Sequence, residues 1–358
     1  VAPFDAREPQ IRATWEQLLD QHPGANLFYQ SPEYFNHLTK LRGDCAFLAL
    51  LEQEDGTPVG IVPMRKERVL LKFDVGEYRV TQTSFSGVRI LGGTLLAPQS
   101  PDVLELLFRQ IARSFPDCQA MEVSGVPTAS ALWNFLKTSQ SLRREFAVYC
   151  PYGARDCHTA HVPDSFAEYL KAFGRKKQYN LKRQIRRLQQ FGDGSLELQR
   201  IDRVSAIDSF RQARMVLGGG TARDLDREVS ESEALDLAAR GLLFSYVLEV
   251  GGKPCAVAFG TRFRDTLVLH SFRYDKSIAH LSPGTVMHTL MMKELADEKL
   301  VRRIDYGFGE PRYRLTNDVE ERVNVVIMRK TAINRSLIFT HRSYGRLVDR
   351  VKRLMGRG

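Results

Sequence analysis

The five cysteines, at 45, 118, 150, 157 and 255, form no CxxC pair and no zinc-ligand spacing. That argues against a zinc ribbon, a finger and a thioredoxin-type redox motif. An odd, scattered set in 358 residues points to a reducing compartment, with each thiol a small core residue; Cys255 lies in an apolar strand. No apolar run approaches the roughly 20 residues that cross a bilayer. The opening VAPFDAREPQ has neither a signal-peptide pattern nor an initiating Met, so a removed leader stays open. HExxH, Walker and GxGxxG patterns are missing. His270 and His288 have no convincing Ser or Asp partner in sequence, which rejects a hydrolase triad. The expected location is cytoplasmic, with peripheral contact at the inner membrane surface left open.

What the chain does have is length and positive charge. Its 358 residues suffice for two domains of usual size. The formal net charge of +10 favours an anionic partner: a nucleotide cofactor, a nucleic acid or a membrane surface. The charge alone does not choose among them.

The order of signals is densest from Leu242 to Arg314. LLFSYVLEV is β-rich and turns at Gly251-Gly252; PCAVAFGTRF runs back; Arg264-Asp265 allows a second turn into TLVLHSFRYD. Ser282-Pro283 then reads as a helix start, with Ser282 the cap and Pro283 at the first helical position. VRRIDYGF follows as a strand. The first amides of a helix placed after a strand are unbonded and sit at the positive end of its dipole, so this turn can hold phosphate. An ordinary cap inside an α+β core is the competing reading.

The first half shows the same coarse order. A hairpin turns at Glu54-Asp55-Gly56, an irregular strand pair covers 66–86, a helix starts at Ser100-Pro101-Asp102, and a strand runs from Cys118 to Val123. We therefore expect a duplicated α/β unit, with domains 1–160 and 161–358, although no residue-level repeat supports it.

Residues 171–190 carry eight basic side chains and no acidic one. Leu181, Ile185 and Leu188 share one face of the expected helix over 175–190, leaving Arg183, Arg187 and their neighbours on the other. Such a ridge suits phosphates of RNA, an anionic polymer or lipid head groups. A solvated face is the plainer alternative. The closing segment repeats the idea, with Tyr344, Leu347, Val348, Val351 and Leu354 against Arg342, Arg346, Arg350, Arg353 and Arg357.

The densest chemistry lies in 305–314. Asp305 or Glu310 can accept a proton from an amine or hydroxyl nucleophile, and Tyr306 or Tyr313 can donate one to a leaving group. Arg312 and Arg314 can hold an anion. Arg183, Arg187, Arg312, Tyr274 and His270 are the candidate substrate- or anion-binding residues.

These pieces resemble a known family. Phe28-Tyr29-Gln30-Ser31-Pro32-Glu33-Tyr34-Phe35, the basic 174–187 stretch, Tyr274-Asp275 before Ser282-Pro283-Gly284, and Asp305-Tyr306-Gly307 with Glu310 to Tyr313 are similar to the GNAT-like acetyltransferases related to the bacterial cellulose-biosynthesis protein CelD/BcsL. More distantly they resemble the Fem-type aminoacyltransferases that build peptidoglycan cross-bridges. The resemblance implies α/β (α+β) architecture: tandem GNAT-like folds, each a mixed, mostly antiparallel sheet flanked by helices. It also implies transfer of an acyl group from acetyl-CoA or another acyl-CoA, without metal, to an amine or hydroxyl of a sugar or cell-envelope-related acceptor. Backbone amides around Leu281, Ser282, Gly284 and Thr285 would be the phosphate contacts. Ser-Pro-Gly stands where standard members carry an Arg/Gln-x-x-Gly-x-Gly/Ala loop. That departure keeps two alternatives open: an aminoacyl-tRNA-dependent transferase, and a non-catalytic protein binding an anionic polymer. DNA is not an expected partner.

Overall fold

The computed structural model describes residues 9–22, 27–42, 45–75, 78–218, 229–308 and 318–354. Contacts divide the chain into two units, Val1–Arg155 with Glu321–Gly358, and Asp156–Glu320. This differs from the expected 1–160 and 161–358. The second unit is one continuous stretch, and the closing segment goes with the first.

The first unit begins with α1 (Pro9–Gln21) and α2 (Pro32–Arg42), which bury Trp15, Leu19 and Phe35. β1 (Ala46–Glu52), β2 (Pro58–Val75) and β3 (Tyr78–Ile90) form an antiparallel meander. The expected turn at Gly56 is present: Gly56 has φ +81°, and the Asp55 carboxylate accepts the Thr57 amide at 2.9 Å. The expected irregular pair over 66–86 is instead the continuation of a single hairpin. β2 runs unbroken for 18 residues because Val69, Leu71 and Phe73 bury the opposite face from Val62 and Met64, with Val69 and Leu71 in a second cluster beside Phe85, so alternation continues past the charged stretch. α3 (Pro101–Ser114) buries Leu104, Leu107, Phe108 and Ile111 and returns the chain to β4 (Ala120–Pro127), parallel to the end of β3. α4 (Ala131–Thr138), α5 (Gln140–Glu145) and β5 (Phe146–Tyr149) follow. The helix expected from Val126-Pro127 starts later, because β4 extends to Pro127 and Ser130 supplies the cap, accepting the Trp133 amide at 3.1 Å.

The second unit contains β6 (Ala154–His161), α6 (Phe166–Lys171), α7 (Arg175–Phe191), β7 (Leu196–Ile201), α8 (Ile207–Val216), α9 (Glu231–Ala239), β8 (Ser245–Val250), β9 (Lys253–Phe263), β10 (Thr266–Tyr274), α10 (Pro283–Glu298) and β11 (Arg303–Phe308). Its strand order is β6-β11-β10-β9-β8-β7, antiparallel throughout except for β10 beside β11. The turns fall where expected, on Gly251-Gly252 and on Arg264 with φ 54°. α6, α7 and α10 cover one face, where Leu181, Leu188, Met287 and Met291 pack on Tyr246, Leu248, Ala258 and Leu267. α8 covers the other, with the Phe210 ring 6.2 Å from Phe259. Glu294 and Glu298 lie near the negative end of the α10 dipole, and Arg200 offsets them, bonding Glu294 at 2.7 Å and also meeting Glu298.

The chain then closes with β12 (Asp318–Arg329) and α11 (Ala332–Leu354). Sequence reading assigns no strand to 318–329. In the structure β12 pairs with both β4 and β5. α11 is the helix expected there, and it docks on β2. His341 Nε2 donates to the Lys72 carbonyl at 3.0 Å, which leaves Nδ1 to accept from the Tyr149 hydroxyl at 2.5 Å. Burial holds the His341 pKa below its ordinary value.

Both units thus repeat three antiparallel strands, a helix, and a strand parallel to the third. They differ at the place where that parallel strand begins to run free. In the first unit the chain after β3 lies directly on β4: a Cβ on Gly93 would stand 1.9 Å from the Gly125 carbonyl oxygen. Fully buried Gln30 holds this segment, donating from Nε2 to the Thr94 carbonyl, while Trp15 Nε1 donates to the Gln30 carbonyl at 2.7 Å. Gly93→Ala should therefore lower stability by about 1–3 kcal/mol in urea unfolding, since both opposing groups are backbone and cannot give way.

Candidate functional site

In the second unit the corresponding strands part. β10 and β11 pair only at Thr266↔Arg303, Leu267↔Ile304 and Val268↔Asp305. Beyond that, β10 follows β9 as far as Tyr274↔Ala256, and β11 follows β6 as far as Phe308↔Cys157. The strands fork. Each bulges where they part: His270 is the extra residue between Leu269 and Ser271, and Tyr306 the extra one between Asp305 and Gly307. A bulge bends its strand and strengthens local twist, which turns the two apart. Among the described residues no strand pairs with the backbone facing into this fork, and such groups can bind an extended ligand.

The helix between these strands starts at the same end. Ser282 sits in the left-handed region (φ 59°, ψ 48°) and makes no side-chain cap bond; instead its hydroxyl accepts from Gln184 Nε2 of α7 at 3.2 Å. Pro283 has no N–H, so no side chain of the N-cap satisfies the first turn of α10. Leu281, Pro283 and Gly284 are buried, whereas Ser282 and Thr285 are half-buried. The Leu281 side chain belongs to the core, leaving only its backbone for a ligand. The turn has the donor character a pyrophosphate requires, with Ser282 and Thr285 as its open part.

Tyr306 stands at the fork on the α10 side, and its hydroxyl lies 2.8 Å from His288 Nε2. His288 is fully buried; burial first, then the nearby Lys177 charge, push its pKa down to about 4. The ring is therefore neutral at physiological pH. Lys177 itself is half-buried, with Nζ 4.3 Å from the Phe173 ring centroid. One further imidazole borders the same bulge. His158 on β6 is opposite Gly307 in register, is 8% exposed, and has a buried Nδ1 with no hydrogen-bond partner among the described residues.

The remaining candidates separate. Asp305 is 1% exposed, and its Oδ1 accepts the Gly307 amide at 2.7 Å, bracing the bulge. Tyr274 ends β10 and is partly buried against the α10 core. His270 lies on the α8 face, bonded to Thr261 Oγ1 at 2.7 Å with its ring 4.9 Å from Phe259, and is not beside Tyr306. Arg183 and Arg187 are on the exposed side of α7. Glu310, Arg312, Tyr313 and Arg314 lie outside the described residues. Cys255 is buried, which pushes its thiol up to about 12, far from a nucleophile's range. Among the described residues no three His, Cys, Asp or Glu side chains converge as a metal site would require. A separate open depression of about 400 Å³ is lined by Arg200, Asp202, Glu294 and Glu298, charges already paired with one another.

Sequence reading missed Lys177, Gln184 and the partner of His288. Lys177 could have been found, because it is one turn before Leu181 and so on the inward stripe of α7. The His288–Tyr306 pair joins a helix to a strand 18 positions on, and no periodicity announces it.

Residues 175–315, less than half of the chain, match the family model described as an acetyltransferase (GNAT) domain, a span running from α7 past β11. Among solved structures the chain is similar to FemX, at 11% identity and TM-score 0.59, covering 91% of this chain and 98% of that one. It is similar to the tandem GNAT protein from the clavulanic acid biosynthesis pathway, at 12% identity and TM-score 0.52, over 91% and 97% of the two chains. A third likeness is to the C-terminal domain of a putative lysylphosphatidylglycerol synthetase from Agrobacterium fabrum, at 11% identity and TM-score 0.51, over 92% and 95%. No curated protein matches the chain significantly. At these identities the likeness is one of fold. The chain has the expected GNAT-like architecture, with a mixed, mostly antiparallel sheet flanked by helices in each unit.

The buried imidazole has a measurable consequence. Because the folded pKa of His288 lies below the ordinary 6.5, the unfolded chain takes up the proton first. The stability this neutral ring contributes is complete above about pH 6.5 and is lost as pH falls towards about 4, a change on the order of 3 kcal/mol. Urea unfolding from pH 7.5 to 4 should show wild type losing that much more than His288→Gln.

Proposed function

We propose that this protein is an acyltransferase that uses its second unit to move an acyl group, acetyl first, from acyl-CoA to an amine or hydroxyl. The acceptor we favour is a sugar or a polysaccharide- or cell-envelope-related metabolite. The observation that carries the reading is the fork between β10 and β11 above an uncapped helix start, with Tyr306 and His288 at its apex. A pantetheine arm is extended, carries amides, and ends in phosphates; the fork supplies unpaired backbone and the α10 turn supplies donors.

An acyl-CoA brings a thioester carbonyl that a nucleophile can attack. With Nε2 protonated, neutral His288 donates to the Tyr306 phenol oxygen, and the phenol proton then points away from the imidazole. Tyr306 gives that proton to sulfur as the carbon–sulfur bond breaks, and the His288 N–H meets the oxygen left behind. The proton of the acceptor passes to a base on the other side, directly or through water. Glu310 and Asp305 remain candidates for that base, Asp305 with the handicap of its bond to Gly307. His158, with its unpartnered nitrogen beside the bulge, joins them. Backbone amides supply the stabilisation of the developing oxyanion.

A second reading, transfer from aminoacyl-tRNA, has one observation in its favour: Arg183, Arg187 and neighbouring basic residues form an exposed ridge on α7 without a single acidic residue in the helix. Isothermal calorimetry with acetyl-CoA separates the two. Binding heat that is lost in Gly284→Trp, with the fold verified by circular dichroism, supports the first. No heat, together with ribonuclease-sensitive transfer, overturns it. Under the first reading Tyr306→Phe should lower kcat by about 10²–10⁴-fold while leaving the acetyl-CoA affinity unchanged.

A further inference from the structure

α11 is more than the first unit needs to hold it. Its first four turns dock through Asn334, Ile338 and His341, all buried, and through Tyr344, whose ring lies 5.2 Å from Phe73 of β2. The contacts advance together: Ile338 packs with Val69 and Leu71, His341 bonds Lys72, and Tyr344 meets Phe73. The helix therefore runs along β2 towards the tip of the β2–β3 hairpin.

Past Tyr344 the docking thins to a half-buried Val348, and the composition does not turn polar. Leu347, Val351 and Leu354 are 59%, 43% and 88% exposed. They are spaced i, i+4, i+7 and so form one stripe. Arg346, Arg350 and Arg353 repeat that spacing one residue earlier and form a second stripe about 100° round the helix. All three are exposed, and among the described residues none meets a carboxylate; Asp349 is the one acidic side chain in these turns. The hairpin adds to the same end. Val75 is two residues beyond Phe73 and so on the α11 face, and its cross-strand partner Tyr78 is 81% exposed.

We infer that the last two turns of α11, with Val75 and Tyr78 at the ends of β2 and β3, form a docking surface for an anionic lipid bilayer. The charge argues for this occupant. Three arginines beside an apolar stripe match acidic head groups above acyl chains, and a tyrosine at the rim suits the interface between them. The apolar area is too narrow to hold the chain on a neutral bilayer, so attachment depends on the arginines. This inference stands apart from the acyl-transfer reading and uses none of its residues.

The test is co-sedimentation of the full chain with sucrose-loaded vesicles of phosphatidylcholine, with and without phosphatidylglycerol. Binding is expected only with phosphatidylglycerol and should weaken as salt rises. Replacing Arg346, Arg350 and Arg353 together by Ser should weaken it about a hundredfold. Leu347→Ser with Leu354→Ser should weaken it too, with melting temperature unchanged because these side chains support nothing. Equal binding of these variants and wild type, binding lost instead in Arg183→Ser with Arg187→Ser, or sedimentation velocity showing a self-associated chain that Leu347→Ser with Leu354→Ser dissociates would each overturn it.

Discussion

Two parallel strands that stay together for three residues and then part are the constraint on which the second unit depends. A longer ladder would close the sheet and leave no room for a ligand; no ladder would leave β11 unregistered. Three pairs fix the strands at one end, and the bulges at His270 and Tyr306 release them at the other. The remaining elements pack around that release. α10 bridges from one arm of the fork to the other, so its first turn and the Tyr306 hydroxyl share a neighbourhood. His288, fixed on α10, reaches the hydroxyl from within the core. α7 covers the helix start through Gln184 and brings Lys177 inward.

The first unit shows what the same topology does when the release is filled. There the chain after β3 folds onto β4 with two glycines nearly in contact, and a buried glutamine anchors it. A single side chain at position 93 would not fit. Backbone has taken the space that a ligand would occupy, and the result is a packed core. Identical order of elements therefore leads to two different uses, and the difference rests on a few residues after one strand.

The strands and helices of the second unit were largely legible in the sequence, because local chemistry decides them. Gly251-Gly252 and Arg264 adopt the left-handed turns their positions imply, Ser165 and Ser230 cap the helices they precede, and Leu181 and Leu188 face inward as their spacing requires. What stayed hidden is long-range. β12 begins with DVEER, which reads as surface, and becomes a strand through pairing with β4 and β5, almost two hundred positions away. The long β2 was cut in two because Arg65 to Arg68 look like a break, although their neighbours keep alternating. At the site, Tyr306 is legible for its chemistry, whereas the sequence shows no partner for His288 because the two are 18 positions apart on different elements. Asp305 reads as a base from sequence and turns out to brace its own strand.

The path of the chain also bears on how it is made. β5 and β4 both lean on β12, and β12 is translated only after nearly all of the second unit has been synthesised. The half that is synthesised first is thus the half that finishes last: its β5 waits without a partner until residues 326–329 have been made. Vectorial synthesis ordinarily lets early segments settle before later ones. Here the nascent protein must keep an unfinished sheet open through some 160 further residues before β5 meets β12.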